Sequence, residues 1–568
     1  MAIQRKVVRE VPHKSGFDKS FRNLLTAPVG TLVPVLVDEV IPGSNVHLKA
    51  LVSGSMAPLA TDTFMNVEYR MEAFFVPYRI LYRGFEDWLT QNENVYLDDI
   101  SKSAVPTLPA YVIHNNDGGF VENVAAGSLL DYLGYKDVSE QYERDFSQRI
   151  NIFPMLAYHK VWSDHYRNAL VQKDCFAKPF VTTGYDLANA DYLAAALPYI
   201  AFDPAFTSLP AISEYEYDTD NNSYVATNQA TLADGVKLSE LRQRNFDNDY
   251  FTMAQPTAQQ GDEQKIEFST SGSTGSFTIG QLRMANSLQQ FAELNSLAGP
   301  RMVDYVKAHY GANLSDGVSQ RSIYLGRSKM TIYSKGVYQT SNVRQNGDYQ
   351  LLSNNIFDTV GAQYGSPYFA DDTMLIDNFE VNEPGVIMVL GSIVPRVTYS
   401  SGVARYLTHH YTSDAQRVNI ADPLLQNVGN QPIYKSELDA LADNTVFGYI
   451  DRFAEWMTKN DEVHGLIRDG ESLQAFALQR SFDNGTRPVI SSEFLKIPRD
   501  FMKQVFAFDD YISKDGEPID VESFGAWIDH FFQYKVAMPL AEYSLPTLQD
   551  PAYEHGKKVV VDRSGSHL

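Results

Sequence analysis

Residues 65–88 read MNVEYRMEAFFVPYRILYRGFEDW, and this stretch decides the fold class. Val67, Tyr69, Met71, Ala73 and Phe75 alternate with Asn66, Glu68, Arg70 and Glu72, the period-two pattern of a strand with one buried face. Phe74 makes the end of that strand apolar on both faces. Pro77 withdraws a backbone donor, so the ladder is expected to stop near it. Gly84 then precedes Phe85, Trp88 and Leu89 at helical spacing, so the strand runs into a short helix.

Outward from this stretch the chain stays rich in strand patterns. Residues 31–37 (TLVPVLV) and 46–52 (VHLKALV) read as strands separated by DEVIPGSN, where Pro42 and Gly43 supply the turn. Pro34 demotes the first of them to an edge or bulged strand. Strands following one another with no helix between them point to an antiparallel sheet. Further strands are expected at 329–333, 375–382, 386–394 and 505–508, and another followed by a Gly/Ser loop at 259–275. Helices are expected at 128–133, from Pro154, from Thr278 and from Pro300 to Gly311. Helical faces are also read at Val446, Tyr449 or Ile450, Phe453 and Trp456 or Met457, and at Phe524, Trp527, Ile528 and Phe531. On the helix from Pro154, Met155, Tyr158 and Trp162 form one face, and Lys160, Asp164 and Arg167 lie elsewhere. Residues 180–245 read as a surface insertion. No linker divides the chain, so the scattered strands are taken as one sheet system with long excursions.

Composition agrees: 44% of the 568 residues are hydrophobic, with 34 Tyr and 32 Phe to fill space between sheets. The single cysteine, Cys175, excludes an internal disulfide and reads as a small buried hydrophobe. The N-terminus has no apolar signal core and no stretch approaches a membrane span, so the chain is expected to be soluble and made in a cytoplasm. The formal charge of −23 argues against a generic nucleic-acid binder. Its distribution qualifies that: Arg5, Lys6, Arg9, Lys14, Lys19 and Arg22 outnumber Glu10 and Asp18, giving residues 1–22 a net +4. Residues 1–30 are therefore expected to be a basic arm that could meet a polyanion, and a solvated terminus is the plainer reading.

Enzymatic motifs fail. GxSxG, P-loop and HExxH patterns are absent from the sequence, and His159 and His165 are too far apart for a zinc pair on one helix face. His409 and His410 are adjacent and would diverge. Asp218, Asp220 and Asn222 begin like a calcium loop but lack its glycine and final glutamate, so they read as a turn. The many paired acids select no glycosidase pair. No catalytic residue, cofactor or metal site is expected.

Blocks in order along the chain carry more than any motif. Phe17, Asp18, Lys19 and Ser20; the run 30–35 with Pro34; the run 38–43 with Pro42 and Gly43; and Phe74, Phe75, Val76, Pro77 and Arg79 with Trp88 resemble the N-terminal part of microvirus major capsid proteins, the gokushovirus-like branch above all. The likeness continues at residues 131–134 and 154–168, at Tyr250 and Phe251, at Gln281 and Leu282 within TIGQLR, at 309–311 and 324–326, and at Met538 and Pro539. The resemblance implies a mainly β fold, an eight-stranded antiparallel jelly roll of the viral capsid type with long loop and helical insertions at about 92–150, 170–245, 278–330 and 410–500. It also implies self-assembly of about sixty copies into a small icosahedral T=1 shell around the circular single-stranded DNA of a bacteriophage. Implied partners are a small basic DNA-packaging protein, a minor pilot protein and a host surface receptor, with the virion as destination.

One departure stands out. Gokushoviruses carry a long insertion before the TIxQLR block, and only some fifteen residues separate Gly261 from Thr278 here. The extra length at 180–245 is expected to decorate the outer surface instead. The arm cations, with Phe17 and Phe21 as stacking rings, are the nucleic-acid-facing candidates, although anchoring the arm is the plainer role for both rings. The runner-up reading is a carbohydrate-active jelly-roll enzyme or glycan-binding protein, which needs an aromatic cleft with two carboxyls at catalytic separation.

Overall fold

The computed structural model describes most of residues 14–540; the main stretches outside the description are 91–107, 116–125, 136–145, 177–214, 259–282, 295–301, 339–362 and 409–429, with residues 1–13 and 541–568. The described strands of the main sheet are β1 (Ser15–Asp18), β2 (Phe21–Ala27), β3 (Val33–Val40), β4 (Asn45–Met56), β5 (Val67–Pro77), β6 (Ile323–Tyr338), β7 (Gln363–Glu380), β8 (Gly385–Pro395) and β9 (Ala526–Met538).

All pairings among them are antiparallel, in the order β1-β9-β4-β7-β6-β5-β8-β3, with β2 continuing β1 along the edge of β9. The sheet curls on itself, so β2-β9-β4-β7 faces β3-β8-β5-β6 and the far ends of β6 and β7 join the two. This is the strand order of a jelly roll, β2 to β9 being its eight strands. Tyr69, Met71 and Phe75 of β5 meet Leu48 and Ala50 of β4 and Ile528 and Phe532 of β9 in one buried core. The strands β3, β4 and β5, close in sequence, do not pair with one another; each finds its partner in β7, β8 or β9.

Local chemistry explains the edges. β3 ends the sheet, and its register against β8 shifts between Val389 and Leu390, where Pro34 sits, so the proline edge and bulge both occur. Gly43 takes φ +83° in the turn to β4. The β5 ladder runs to Pro77, opposite Gly385, and stops. Two short helices follow at once, α1 (Tyr78–Leu81) and α2 (Phe85–Thr90).

A helical layer covers the outside of β3-β8-β5. It contains α3 (Leu129–Tyr132), capped by the Ser128 side chain and ended by Gly134 at φ +99°, and α4 (Phe153–Val161), which continues as a π-turn, Trp162–Tyr166. Phe74, Val76, Met388 and Leu390 pack there against Leu130, Met155 and Tyr158. Every residue of β8 is buried because both of its faces are covered.

The same covering corrects the one-sided reading of β5 and of α4. Arg70 and Glu72 are largely withdrawn from solvent, Glu72 paired with the covered Arg244 and Arg70 with the half-exposed Asp247, while Glu68 is part-exposed and pairs with the exposed Lys329. Lys160 and Asp164 are likewise buried, ion-paired to each other at 3.0 Å. The end of the expected surface insertion also lies inside: Leu238, Leu241 and Arg242 are buried against α4. Only the hairpin Tyr215–Asp218 with Ser223–Ala226 is described within 180–231, and Asp218 and Ser223 oppose each other across its turn.

Three other expectations change. Residues 526–538 form β9 and 446–451 form a strand, Val446–Asp451, rather than helices, and the expected strand at 505–508 is preceded by a 3-10 turn, Arg499–Val505, with one bridge from Leu59 to Phe506. Trp527 and Phe531 are exposed members of a strictly alternating strand, and their apolar character gave a helical spacing to a strand. The helix Met302–Tyr310 (α5) forms as expected and ends at Gly311, φ +65°. The expected strand at 259–275 lies outside the described residues. A third core joins the two long excursions, Tyr250 and Phe251 of the one between β5 and β6 packing with Ile433, Phe447 and Phe494 of the one between β8 and β9.

Candidate nucleic-acid interface

Among the arm candidates, Arg5, Lys6 and Arg9 lie outside the described residues; Lys14, Phe17, Lys19, Phe21 and Arg22 lie on or beside β1 and β2. Those two strands pair with β9, so the described part of the arm is sheet. Asp18 accepts from the Ser20 backbone at 2.9 Å, and the Ser20 hydroxyl together with that backbone bond holds its carboxyl below the ordinary range. Ser20 in turn accepts from the Tyr534 backbone at 3.1 Å, fixing the kink between β1 and β2.

Each described cation sits beside an acid of the same chain. Lys14 donates to Asn45 at 2.8 Å and lies 3.7 Å from Glu380. Lys19 pairs with Asp38, which also accepts from the Tyr534 hydroxyl at 2.7 Å. Arg22 grips Asp529 with two nitrogens, raising its own pKa and lowering that of Asp529. Phe21 stacks on Phe532, ring centroids 5.3 Å apart, which ties β2 to the sheet, and Phe17 is half-buried on β1.

The face of β2-β9-β4-β7 that looks away from the core has no layer over it among the described residues. Register places Thr26, Trp527, Ser55, Tyr368 and Tyr333 in one row across five strands. Trp527, Tyr368 and Tyr333 are 43%, 51% and 61% exposed. Trp527 is stacked on Phe524 at 6.0 Å and Tyr368 contacts Tyr333 at 6.5 Å. The next rows carry Leu24, Asp529, Ser53 and Ala370, then Arg22, Phe531, Leu51 and Asp372. A cavity of about 1080 Å³ opens here and runs around the β2 edge towards α3. Sequence reasoning missed this face; the strict alternation of Ala526, Ile528, His530, Phe532, Tyr534 and Val536 with polar or exposed residues was its signal.

Two groups capable of covalent chemistry, His159 and Cys175, are buried. His159 accepts from Arg242 Nε at Nδ1, 2.8 Å, and donates from Nε2 to the Leu238 carbonyl, 2.9 Å. Burial and the adjacent guanidinium keep it neutral, well below the ordinary histidine range. Burial pushes the Cys175 thiol up to about 12. In the cavity, the carboxylate of Asp529 is held by Arg22 and that of Asp131 accepts from the Gly127 backbone at 2.9 Å. His409 and His410 lie outside the described residues.

A profile of the phage family described as "Capsid protein (F protein)" matches residues 7–548, nearly the whole chain. The chain belongs to the phage capsid F protein family. Capsid protein VP1 of Chlamydia phage 1 is 26% identical, covering 96% of this chain and 98% of its own. Capsid protein VP1 of Bdellovibrio phage phiMH2K is 25% identical over 94% and 95%, and that of Spiroplasma virus 4 is 24% identical over 86% of each. All three viruses are microviruses, as the resemblance in the sequence implies.

The positions that carry the family likeness are structural ones. Phe74 packs under the helical layer, with its ring 4.8 Å from that of His165, while Phe75 points into the sandwich. Arg79 of α1 pairs with Glu383 in the turn before β8. Trp88 contacts Phe85 at 5.7 Å, and Tyr250 and Phe251 anchor the third core. Gln281 and Leu282 lie outside the described residues.

Proposed function

We propose that this protein is the major capsid protein of a bacteriophage, assembling as about sixty copies into a closed T=1 icosahedral shell around a circular single-stranded DNA genome. The observation that carries this is the family match over residues 7–548, joined to the strand order of a jelly roll. The curled sheet presents few free edges, and its two long excursions, 78–322 and 396–525, supply surface for contacts between neighbours. The subunit is made in the bacterial cytoplasm and ends in the virion. The arm holds too few cations to neutralise much DNA, so a separate small basic protein shares that task, and a minor pilot protein and a host receptor complete the set of partners. Residues 180–231 decorate the outer surface.

Electron microscopy of the purified chain, followed by reconstruction, is the test. Uniform closed shells of sixty copies related by five-, three- and twofold axes are expected. Dispersed monomers, or open filaments, would sink the reading. Full-length genomic DNA retained at high salt by shells of this chain alone would sink the separate basic partner.

A further inference from the structure

We propose that the open face of β2-β9-β4-β7 is a stacking surface for single-stranded DNA, Trp527 and Tyr368 holding a base between them over Ser55. The proposal rests on the shell reading above and names the surface that meets the genome.

Geometry comes first. Trp527 and Tyr368 are both register partners of Ser55, one on each side, so their backbones stand about 10 Å apart, two strand spacings. A flat base in contact with two rings needs about 7 Å between them, twice a contact distance of about 3.5 Å. The serine between them leaves that space open, and its hydroxyl is already spent on the Pro367 carbonyl at 2.9 Å. Tyr333 extends the row beyond Tyr368, so a second ring backs the first.

The chemistry of the floor separates nucleic acid from protein as occupant. A protein interface places its large apolar groups at a packed centre and its small polar groups at the rim. Here the order is reversed: Ser53, Ser55 and Ala370 form the centre and the aromatic rings stand around it. Stacking tolerates any base sequence, which a shell lining requires.

Charge fits the same occupant without a basic patch. On this face Arg22 is paired with Asp529 and Lys49 with Asp372, while Lys535 of β9 and Lys335 of β6 stand exposed in the outward rows and can meet phosphate.

The test titrates a fluorescently labelled oligothymidylate into the full-length chain over a series of salt concentrations. The substitutions W527A and Y368A together are expected to weaken binding about ten- to a hundred-fold at every salt concentration and to leave the salt slope unchanged. W527F with Y368F keeps two rings and retains affinity within about three-fold. Ser55→Leu fills the gap while sparing both rings, and it lowers affinity too, which keeps the test decisive if the double alanine variant fails to fold. K335A with K535A weakens binding at low salt and reduces the slope by about 1.4, two cations at about 0.7 each. Unchanged affinity in both W527A/Y368A and S55L overturns the inference. Unchanged DNA affinity together with lost subunit association in sedimentation also overturns it, and gives the face to a protein neighbour. Micrographs of the wild-type preparation keep the two levels apart: no shells sinks the shell reading, whereas shells with unaltered DNA binding in the variants sink only the stacking surface.

Discussion

Tyr69 and His530 meet across the sandwich, the hydroxyl 2.8 Å from Nε2, and join the two sheets through a polar contact in an otherwise apolar core. Burial lowers the His530 pKa from 6.5 to about 4, so the folded chain holds the ring neutral where the unfolded chain protonates it. A histidine depressed in this way gives stability that is complete above pH 6.5 and is lost as pH falls towards 4. Its span is about 3 kcal/mol at about 1.4 kcal/mol per unit. His159, depressed for the same reason, adds to the same slope. His530→Gln is therefore expected to lower stability at pH 7 by about 1–3 kcal/mol and to flatten the loss between pH 6.5 and 4.5. Urea midpoints of both proteins across that range check it; parallel pH profiles would rule out His530 as the titrating group. The sequence offered no sign of this histidine's role, because burial of a polar residue inside an alternating strand shows only when the opposite sheet is known.

At the scale of the element, β5 was half legible. Its inward residues were plain from alternation, and its stop at Pro77 followed from proline chemistry. Its other face looked solvated because Glu68, Arg70 and Glu72 are charged, yet Arg70 and Glu72 are largely covered, and the ion-pair partners Asp247 and Arg244 lie far away in sequence. β9 failed for the converse reason: its exposed face is aromatic, so polarity did not mark it as exposed. The buried charges make a prediction about the joint between sheet and helical layer. Burial pushes the Glu72 carboxyl up, but Arg244, at 2.7 Å, and the Tyr166 hydroxyl hold it below its ordinary value. Arg244→Met strands that carboxylate under the layer and is expected to cost about 3–5 kcal/mol. Adding Glu72→Leu removes the stranded charge and restores most of the loss. A double-mutant cycle in urea measures this, and equal losses in the single and double variants would show that packing of Arg244, not its charge, is what matters.

For the whole molecule, the strand order of the jelly roll was not readable from periodicity, since the sequence fixes patterns along a strand and not which distant strand lies beside it; ordered blocks resembling a family carried that information. The arm shows the same limit. Charge alone drew it as residues 1–30, yet β1 and β2 occupy 15–27 and form the edge of β9 opposite β4. Two truncations separate what charge and pairing each do. Removing residues 1–13 deletes Arg5, Lys6 and Arg9 and leaves every described strand in place. That chain is expected to keep its urea midpoint and its assembly while the salt slope of DNA binding falls by about two, three cations at about 0.7 each. Removing residues 1–27 deletes both edge strands, exposes the flank of β9, and uncovers the core that Leu25 and Ala27 seal. That chain is expected to lose several kcal/mol and to aggregate through the bared edge. Equal midpoints for the two truncations would mean that β1 and β2 contribute nothing to the sandwich, and an unchanged salt slope in the shorter truncation would mean that Arg5, Lys6 and Arg9 do not touch the nucleic acid.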